Sequence, residues 1–322
     1  MRLQVTKYDV AEYCGLSHMS VTRVLNGSPN VSGTVRERVL SACKKLNYRP
    51  NFTARALRLR KHCTVGVLMY GEGHFYGILN IFLQRHLSLR GYNGIFVFWK
   101  SQDELDKAFA SLVSRNVDGI ITVEECGALK REGLPTVISG KKVEDYDYVT
   151  FDFKHMMEQS FKYLTNLGHQ RIGFIGKFDD ERFTSYRNLL GVYRLASEPE
   201  WCQDHNLLNG GVEDGIRRII MRSNRPTAII CYNDNVALGA ICAVAEHGLK
   251  IPEDISIIGC DNLPESAFYN PRLTTFDLNI EKLAETLVST LLHRIQHPHS
   301  KHSSSVLRPE IVIRKSCGEA SD

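Results

Sequence analysis

Ser17, His18, Met19, Ser20, Thr22, Arg23 and Asn26 fall within ten consecutive residues. Their types suit a nucleic-acid duplex. The planar fork of Arg23 matches the O6 and N7 acceptors of guanine, and the hydroxyls and the amide suit phosphate oxygens. The Met19 thioether makes no directional pair, so it either meets an apolar group such as a thymine methyl or fills space. A second set lies far along the chain, where Asn233 and Asp261 each follow an apolar run. Asp261 could hydrogen-bond a polar ligand, whereas Asn233 or Asp234 could equally cap the helix pattern over residues 236–247. His297, His299 and His302 have no regular element to converge them and read as a solvated loop. The nine cysteines are scattered, odd in number and without a C-x-x-C pair. That pattern is neither a disulfide framework nor a zinc ribbon, so reduced thiols and no metal or cofactor are expected.

Charge is divided unevenly. Residues 1–62 hold twelve Lys or Arg against three Asp or Glu, a net +9, while the remainder carries −5. One end is suited to meet a polyanion. The chain has 322 residues, 43% of them apolar, with no apolar run long enough to span a bilayer and no apolar core of a secretory signal near Met1. A cytoplasmic protein of two or three units, with no membrane partner, is expected.

The elements that must position these residues begin with Thr6-Lys-Tyr-Asp9, a capping box that starts a short helix. Val10, Ala11 and Cys14 form its buried stripe, and Gly15 ends it. Ser17 caps a second helix, 18–25, with Val21, Val24 and Leu25 inward and His18, Met19, Thr22 and Arg23 outward. A third helix starts at Ser32 and closes the core with Val35, Val39, Leu40, Cys43 and Leu46. Two short helices about a glycine turn make a helix-turn-helix, which places the first turn of the second helix against base edges. From Pro50 to Thr64 runs a basic stretch of about two helical turns, too short to persist alone and expected to fold on DNA.

Thr6-Lys-Tyr-Asp-Val-Ala-Glu-Tyr-Cys-Gly-Leu-Ser17, Ser20-Val-Thr-Arg-Val-Leu-Asn26, Val31-Ser32, Arg36-Glu-Arg-Val39 and Leu46-Asn-Tyr-Arg-Pro-Asn51 resemble the signature of the LacI family of bacterial repressors. The resemblance implies that His18, Met19 and Arg23 read the major groove and that Ser20, Thr22 and Asn26 hold phosphates. Thr6, Tyr8 and Ser17 complete the expected headpiece contacts. Asn51, Ala54, Arg55 and Leu57 resemble the family's hinge helix, whose paired leucines wedge into the minor groove, a known way to kink DNA.

After residue 63, apolar runs at 64–69, 94–99, 119–123, 136–139, 171–175, 228–232 and 255–259 alternate with helical patterns. They predict parallel sheets covered on both faces, in two doubly wound halves. The expected fold is thus an all-α helix-turn-helix headpiece plus an α/β, periplasmic-binding-protein-like sensing domain of two doubly wound parallel-sheet subdomains. The expected boundaries are 1–50 for DNA binding, 51–63 for the hinge helix and linker, and 64–322 for effector binding and dimerisation. The subdomains would be about 64–155 plus 277–292, and about 156–276 plus 293–322.

The resemblance continues through Arg90-Gly-Tyr92, Leu167-Gly-His-Gln-Arg-Ile172, Asn233-Asp-Asn-Val-Ala-Leu-Gly239 and Gly259-Cys-Asp261, and so covers essentially the whole chain. It implies an effector cleft lined by Asn233 and Asp261, with His74, Phe75, Asp152, Arg187 and Asn188 as further candidates. The chain also departs from the family. Gly73-His74-Phe75 replaces a common Asn-Pro-Phe, Phe82 stands for a usual glycine, and Asn188 stands where an arginine often lies. Loss of that guanidinium would weaken an anion clamp. The expected function is a homodimeric transcription regulator, a repressor, that reads a pseudo-palindromic double-stranded operator and responds to a small-molecule effector, a sugar or sugar derivative. A binding protein or enzyme on the same scaffold is the alternative. No nucleophile elbow, Walker loop, GxGxxG or HExxH supports an enzyme, and a transport protein would need export.

Overall fold

The computed structural model describes residues 5–25, 31–48, 62–70, 73–204 and 211–321, in two compact units, 1–62 and 63–322. The first unit holds α1 (Lys7–Cys14), α2 (His18–Leu25) and α3 (Gly33–Lys45). At the start of α1 the Thr6 amide donates to the Asp9 carboxylate at 2.6 Å, and the Asp9 amide donates to the Thr6 hydroxyl at 3.5 Å. Gly15 closes the helix at φ 57°, a left-handed conformation that favours glycine. The Ser32 hydroxyl accepts from the Val35 amide to start α3. Val10, Ala11, Cys14, Val21, Val24, Val39 and Ala42 form the core. These are small side chains, so caps worth about 1 kcal/mol each are a sizeable part of this unit's stability. Leu40, expected inside, is 53% exposed. It follows Val39 by one residue, about 100° around the helix, and so leaves the buried stripe.

The second unit runs β1 (Thr64–Tyr70), α4 (His74–Leu89), β2 (Asn93–Trp99), α5 (Gln102–Val113), β3 (Gly119–Thr122), α6 (Gly127–Glu132), β4 (Thr136–Ser139) and β5 (Asp147–Phe151). It continues with α7 (Phe153–Asn166), β6 (Ile172–Gly176), α8 (Glu181–Tyr193), β7 (Cys202–Asp204), α9 (Gly211–Ile220), β8 (Ala228–Cys231), α10 (Asp234–Glu246) and β9 (Ser256–Ile258). It ends with β10 (Thr275–Asp277), α11 (Ile280–Gln296), β11 (Ser304–Leu307) and β12 (Glu310–Val312). The strands form one parallel sheet in the order β11-β5-β4-β3-β1-β2 and another in the order β7-β6-β8-β9. A small antiparallel pair joins β10 to β12.

Both parallel sheets are covered on two faces, which explains why their central strands read as continuous apolar runs. On β1, Val65, Val67 and Met69 join Leu79 and Leu83 of α4 in one cluster, while Leu68 packs with Leu105 and Phe109 of α5 on the other face. On β8, Ile230 faces the same large cluster, and Ile229 meets Ile216 of α9 and Val244 of α10.

The last segment differs from the expected division. Residues 304–307 pair in parallel with β5 of the first sheet rather than joining the second, and α11, through residue 296, packs on α4 and β3 to β5. The cause is a buried ion pair. Arg294 donates from Nε and Nη2 to Asp147 on β5 at 2.6 and 3.0 Å, and from its Nη atoms to the carbonyls of Pro298, Ser300 and Lys301. The Ser303 amide donates to the same carboxylate. The turn after α11 is thereby folded back, which delivers β11 to the edge beside β5. The chain consequently passes between the sheets three times, from β5 to α7, from β10 to α11 and from β11 to β12.

Candidate functional sites

In the headpiece the outward face of α2 is polar at its start. His18, Met19 and Arg23 are exposed and Ser20 and Thr22 half-exposed. The Tyr8 ring lies 5.4 Å from the His18 ring, centroid to centroid, so α1 contributes to the same face. Several hydroxyls are already engaged. Thr22 donates to the His18 carbonyl at 2.8 Å, so it must rotate before it can donate to a phosphate. Ser17 accepts from the Ser20 amide at 3.2 Å, and the two hydroxyls are 3.0 Å apart. One donates to the other, which leaves the second proton for an external acceptor. Thr6 is committed to the capping box, and the Asp9 carboxyl is held below its ordinary pKa, chiefly by the Thr6 amide. Asn26, Asn51, Ala54, Arg55 and Leu57 lie outside the described residues.

In the second unit a cavity of about 630 Å³ lies between the two sheets. It is built from strand ends. Tyr70 and Trp99 end β1 and β2, Glu124 follows β3, Ser139 and Lys141 stand at and after the end of β4, and Phe151 ends β5. From the other side come Lys177 after β6, Tyr232 and Asn233 after β8, and Asp261 beyond β9. Phe75 and Tyr76 of α4, Phe153 of α7, and Asp180 and Arg182 at the start of α8 also line the cavity, with Val123, Gly140 and Leu278. Side chains beyond the C-terminal strand ends are where ligands sit in open parallel sheets.

Arg182 is the best-fixed charge in the cavity. Its Nε and Nη2 donate to the two Asp180 oxygens at 2.8 and 3.0 Å, and its Nη1 donates to the Tyr232 carbonyl at 2.9 Å. The guanidinium carbon lies 4.3 Å from the Phe153 ring centroid and 3.5 Å from that of Tyr232. Burial alone would disfavour its charge, but the Asp180 bonds outweigh burial and hold the guanidinium protonated. An arginine has five N–H donors, and three are used within the protein. Two remain unused among the described residues.

Asp261 is buried, with φ 119°, a backbone conformation that costs of order 1–3 kcal/mol and persists only where its neighbours enforce it. Its amide donates to Phe276 at 2.9 Å, and the Leu263 amide donates to Asp234 at 2.8 Å. Burial, then the Asp234 charge, raises its pKa well above the ordinary carboxylate range, against the opposing pull of Arg182. Asp234 behind Asp261 is pushed up to about 6, mainly by burial, while bonds from Thr275 and Leu263 oppose the shift. Asn233 lines the cavity and also caps α10, its side chain accepting from the Val236 amide at 2.9 Å. The capping reading of that residue is thus seen directly, from a position on the cavity wall.

Of the other residues singled out in the sequence, Phe75 lines the cavity, whereas His74, Asp152, Arg187 and Asn188 are not among its lining residues. His74 is exposed at the start of α4, and Asp152 caps α7 by accepting from the His155 amide. Arg187 and Asn188 are exposed on α8 because Arg182, Ser185, Tyr186 and Leu189 form its inner stripe. The expected loss of a guanidinium from the cleft is corrected by Arg182, which supplies one from the first turn of the same helix.

The model for bacterial regulatory proteins of the lacI family matches residues 6–51, and that for a periplasmic binding protein-like domain matches 161–317. The ribose operon repressor of Haemophilus influenzae is 30% identical over 97% of this chain and 98% of its own length. The chain belongs to the LacI family. The transcriptional repressor PurR of Mannheimia succiniciproducens, also 30% identical, matches over 96% of this chain and 97% of its own length. The lac repressor dimer, solved with operator and the anti-inducer ONPF, superposes with a TM-score of 0.83 at 25% identity, covering 98% of this chain and 99% of that one. This LacI-family protein is a DNA-binding transcription regulator controlled by a small-molecule effector.

Sequence reasoning passed over Arg182, Asp180, Lys177, Trp99, Tyr70 and Tyr232 of the LacI-family cleft. A usable signal existed. Tyr70, Trp99, Lys177 and Tyr232 stand at or one residue beyond the ends of strands that the apolar runs had already located, and the strand-end rule applied to each run would have found them.

Proposed function

We propose that this regulator is a cytoplasmic, homodimeric repressor whose affinity for a pseudo-palindromic operator is set by a sugar or sugar derivative in the cavity between its two sheets. The observation that carries the reading is the cavity's chemistry. Aromatic faces at Tyr70, Tyr76, Trp99, Phe153 and Tyr232 can stack on the apolar face of a sugar ring, while Arg182, Asp261 and Asn233 offer donors and acceptors to its hydroxyls. The ribose operon repressor among the relatives supports the same class.

DNA contact is assigned to Thr6, Tyr8, Ser17, His18, Met19, Ser20, Thr22, Arg23 and Asn26, with the hinge residues Asn51, Ala54, Arg55 and Leu57. Effector contact is assigned to Phe75, Asn233, Asp261 and Arg182. Lys142, after β4, and Glu181, at the start of α8, form an ion pair across the two halves at 3.4 Å. Together with the three chain crossings, it ties closure of the cleft to the relative positions of the halves. An effector shifts operator affinity only by the difference in its affinity for the two arrangements.

The test is selection of purified protein on a randomised duplex library at fixed near-physiological salt, repeated with and without a sugar panel. An enriched palindrome whose occupancy changes with one sugar is the expected result. Enrichment without a response to any sugar would overturn the effector class. Sedimentation should give a dimer, and a tetramer would refute that part.

A further inference from the structure

We propose that the effector carries an anionic group, a phosphate or a carboxylate, which docks on the Lys177 ammonium at the rim of the second sheet. The inference rests on the reading of the cavity as a sugar site and narrows it to acidic sugar derivatives. The cavity lining holds three cations, Lys141, Lys177 and Arg182, and three carboxylates, Glu124, Asp180 and Asp261. Two cations are answered within the protein. Lys141 is ion-paired with Glu124, and Arg182 is held by both oxygens of Asp180.

Lys177 and Asp261 remain. Asp261 makes no ion pair among the described residues either, and burial together with the Asp234 charge raises its pKa well above the ordinary carboxylate range, which disfavours the charged form that would answer a cation. Lys177 makes no ion pair among the described residues, and its Nζ lies 5.6 Å from the Tyr232 ring centroid. The cleft thus presents one half-buried ammonium without an ion-pair contact; the nearby Asp180 carboxylate, whose pKa it helps to lower, is already held by two bonds from Arg182. A ligand anion gains more from such a site than from bulk water, because its partner is already partly desolvated.

The backbone adds to the same field. Helices α4, α7, α8 and α10 all begin at or within one residue of the cavity wall, which brings their positive ends near it. Side chains of Asp152, Asp180 and Asn233 cap three of them, whereas Gly73 gives α4 no side-chain cap. A neutral sugar uses the stacking faces and the remaining Arg182 donors but leaves Lys177 without an ion pair. A sugar phosphate or sugar acid uses both.

Isothermal titration of the full chain with matched probes tests this: ribose against ribose 5-phosphate, glucose against glucose 6-phosphate, and glucose against gluconate. The anionic member of one pair should bind at least about tenfold more tightly than its neutral partner. Lys177→Met, checked for native circular dichroism, should weaken that ligand by roughly ten- to a hundredfold. It should move the neutral partner by less than about threefold, and Lys177→Arg should restore most of the anion's affinity. A neutral sugar that binds as tightly as its anionic partner, or an anion indifferent to Lys177→Met, overturns the proposal while leaving the sugar reading standing. If no sugar of either kind binds, both fall together.

Discussion

The guanidinium carbon of Arg182 stacks 3.5 Å from the centroid of the Tyr232 ring, and its Nη1 donates to the backbone carbonyl of that same residue at 2.9 Å. One side chain therefore joins the start of α8 to the end of β8 and fixes an aromatic face of the cleft. Replacing Arg182 by Met would leave Asp180, whose side chain is 21% exposed, without its cation. Breaking a buried pair from one side typically costs about 3 kcal/mol. Urea unfolding at pH 7 should show a loss of that size, with effector affinity falling by about tenfold or more. Arg182→Lys should recover little, since an ammonium lacks the fork and the planar stack. A stability change below about 1 kcal/mol would mean the pair does no more than a surface contact.

What could be read from sequence was local chemistry. The Thr6 to Asp9 capping box, the Gly15 stop and the Ser32 cap depend on residues within a turn of one another, and the central strands are apolar because both faces are covered. What could not be read depends on partners distant in the chain. Asp147 opens β5 with a buried charge, and Arg294, 147 residues later, together with Ser303 makes its burial tolerable. β11 is short and half-exposed, so no apolar run marks it. Arg182 was missed because the phase of α8 is set by packing against β6 and α7, and its carbonyl partner lies 50 residues on.

Asp234 should impose a pH dependence on stability. Its folded pKa is pushed up to about 6 from 3.8, so the folded state holds its proton where the unfolded state does not. This contribution is fully present below about pH 4, declines as pH rises to about 6, and is lost above that. The swing is on the order of 2–3 kcal/mol. Stability curves of Asp234→Asn and the parent, measured between pH 4 and 7, should diverge with this sign. The parent should lose stability relative to the variant as pH rises. Parallel curves would show that Asp234 titrates near its ordinary value.

Gly259 is required by the same cluster. A Cβ there would collide with the Asp234 carboxylate and lie 2.8 Å from Leu273. Both neighbours are buried and cannot swing aside. Gly259→Ala should lower stability by about 1–3 kcal/mol, as overpacking does, with a matching drop in thermal midpoint. An unchanged midpoint would show that the Asp234 loop yields.

Arg23 should carry base specificity rather than bulk affinity. It is exposed in the last turn of α2, and its fork suits two acceptors of one guanine. Arg23→Ala should cost about 1–3 kcal/mol on the preferred operator and level the preference at one base position per half-site. Ser20→Ala, at a residue assigned to phosphate contact, should weaken all sequences alike. Library selection with both variants separates the two roles, and a uniform loss for Arg23→Ala would reassign it to the backbone.

Leu57 gives the sharpest test of the hinge. Residues 1–62 carry a net +9, so much of the affinity for any duplex is electrostatic and falls with salt. A leucine wedge adds nothing to that component and acts only where two hinge segments meet at a deformable operator centre. Leu57→Ala should therefore weaken operator binding by about tenfold or more, leave non-specific binding and its salt slope unchanged, and leave effector affinity intact. Operator affinity equal to the parent's, measured at the same salt, would remove the wedge and return Leu57 to the role of a linker residue.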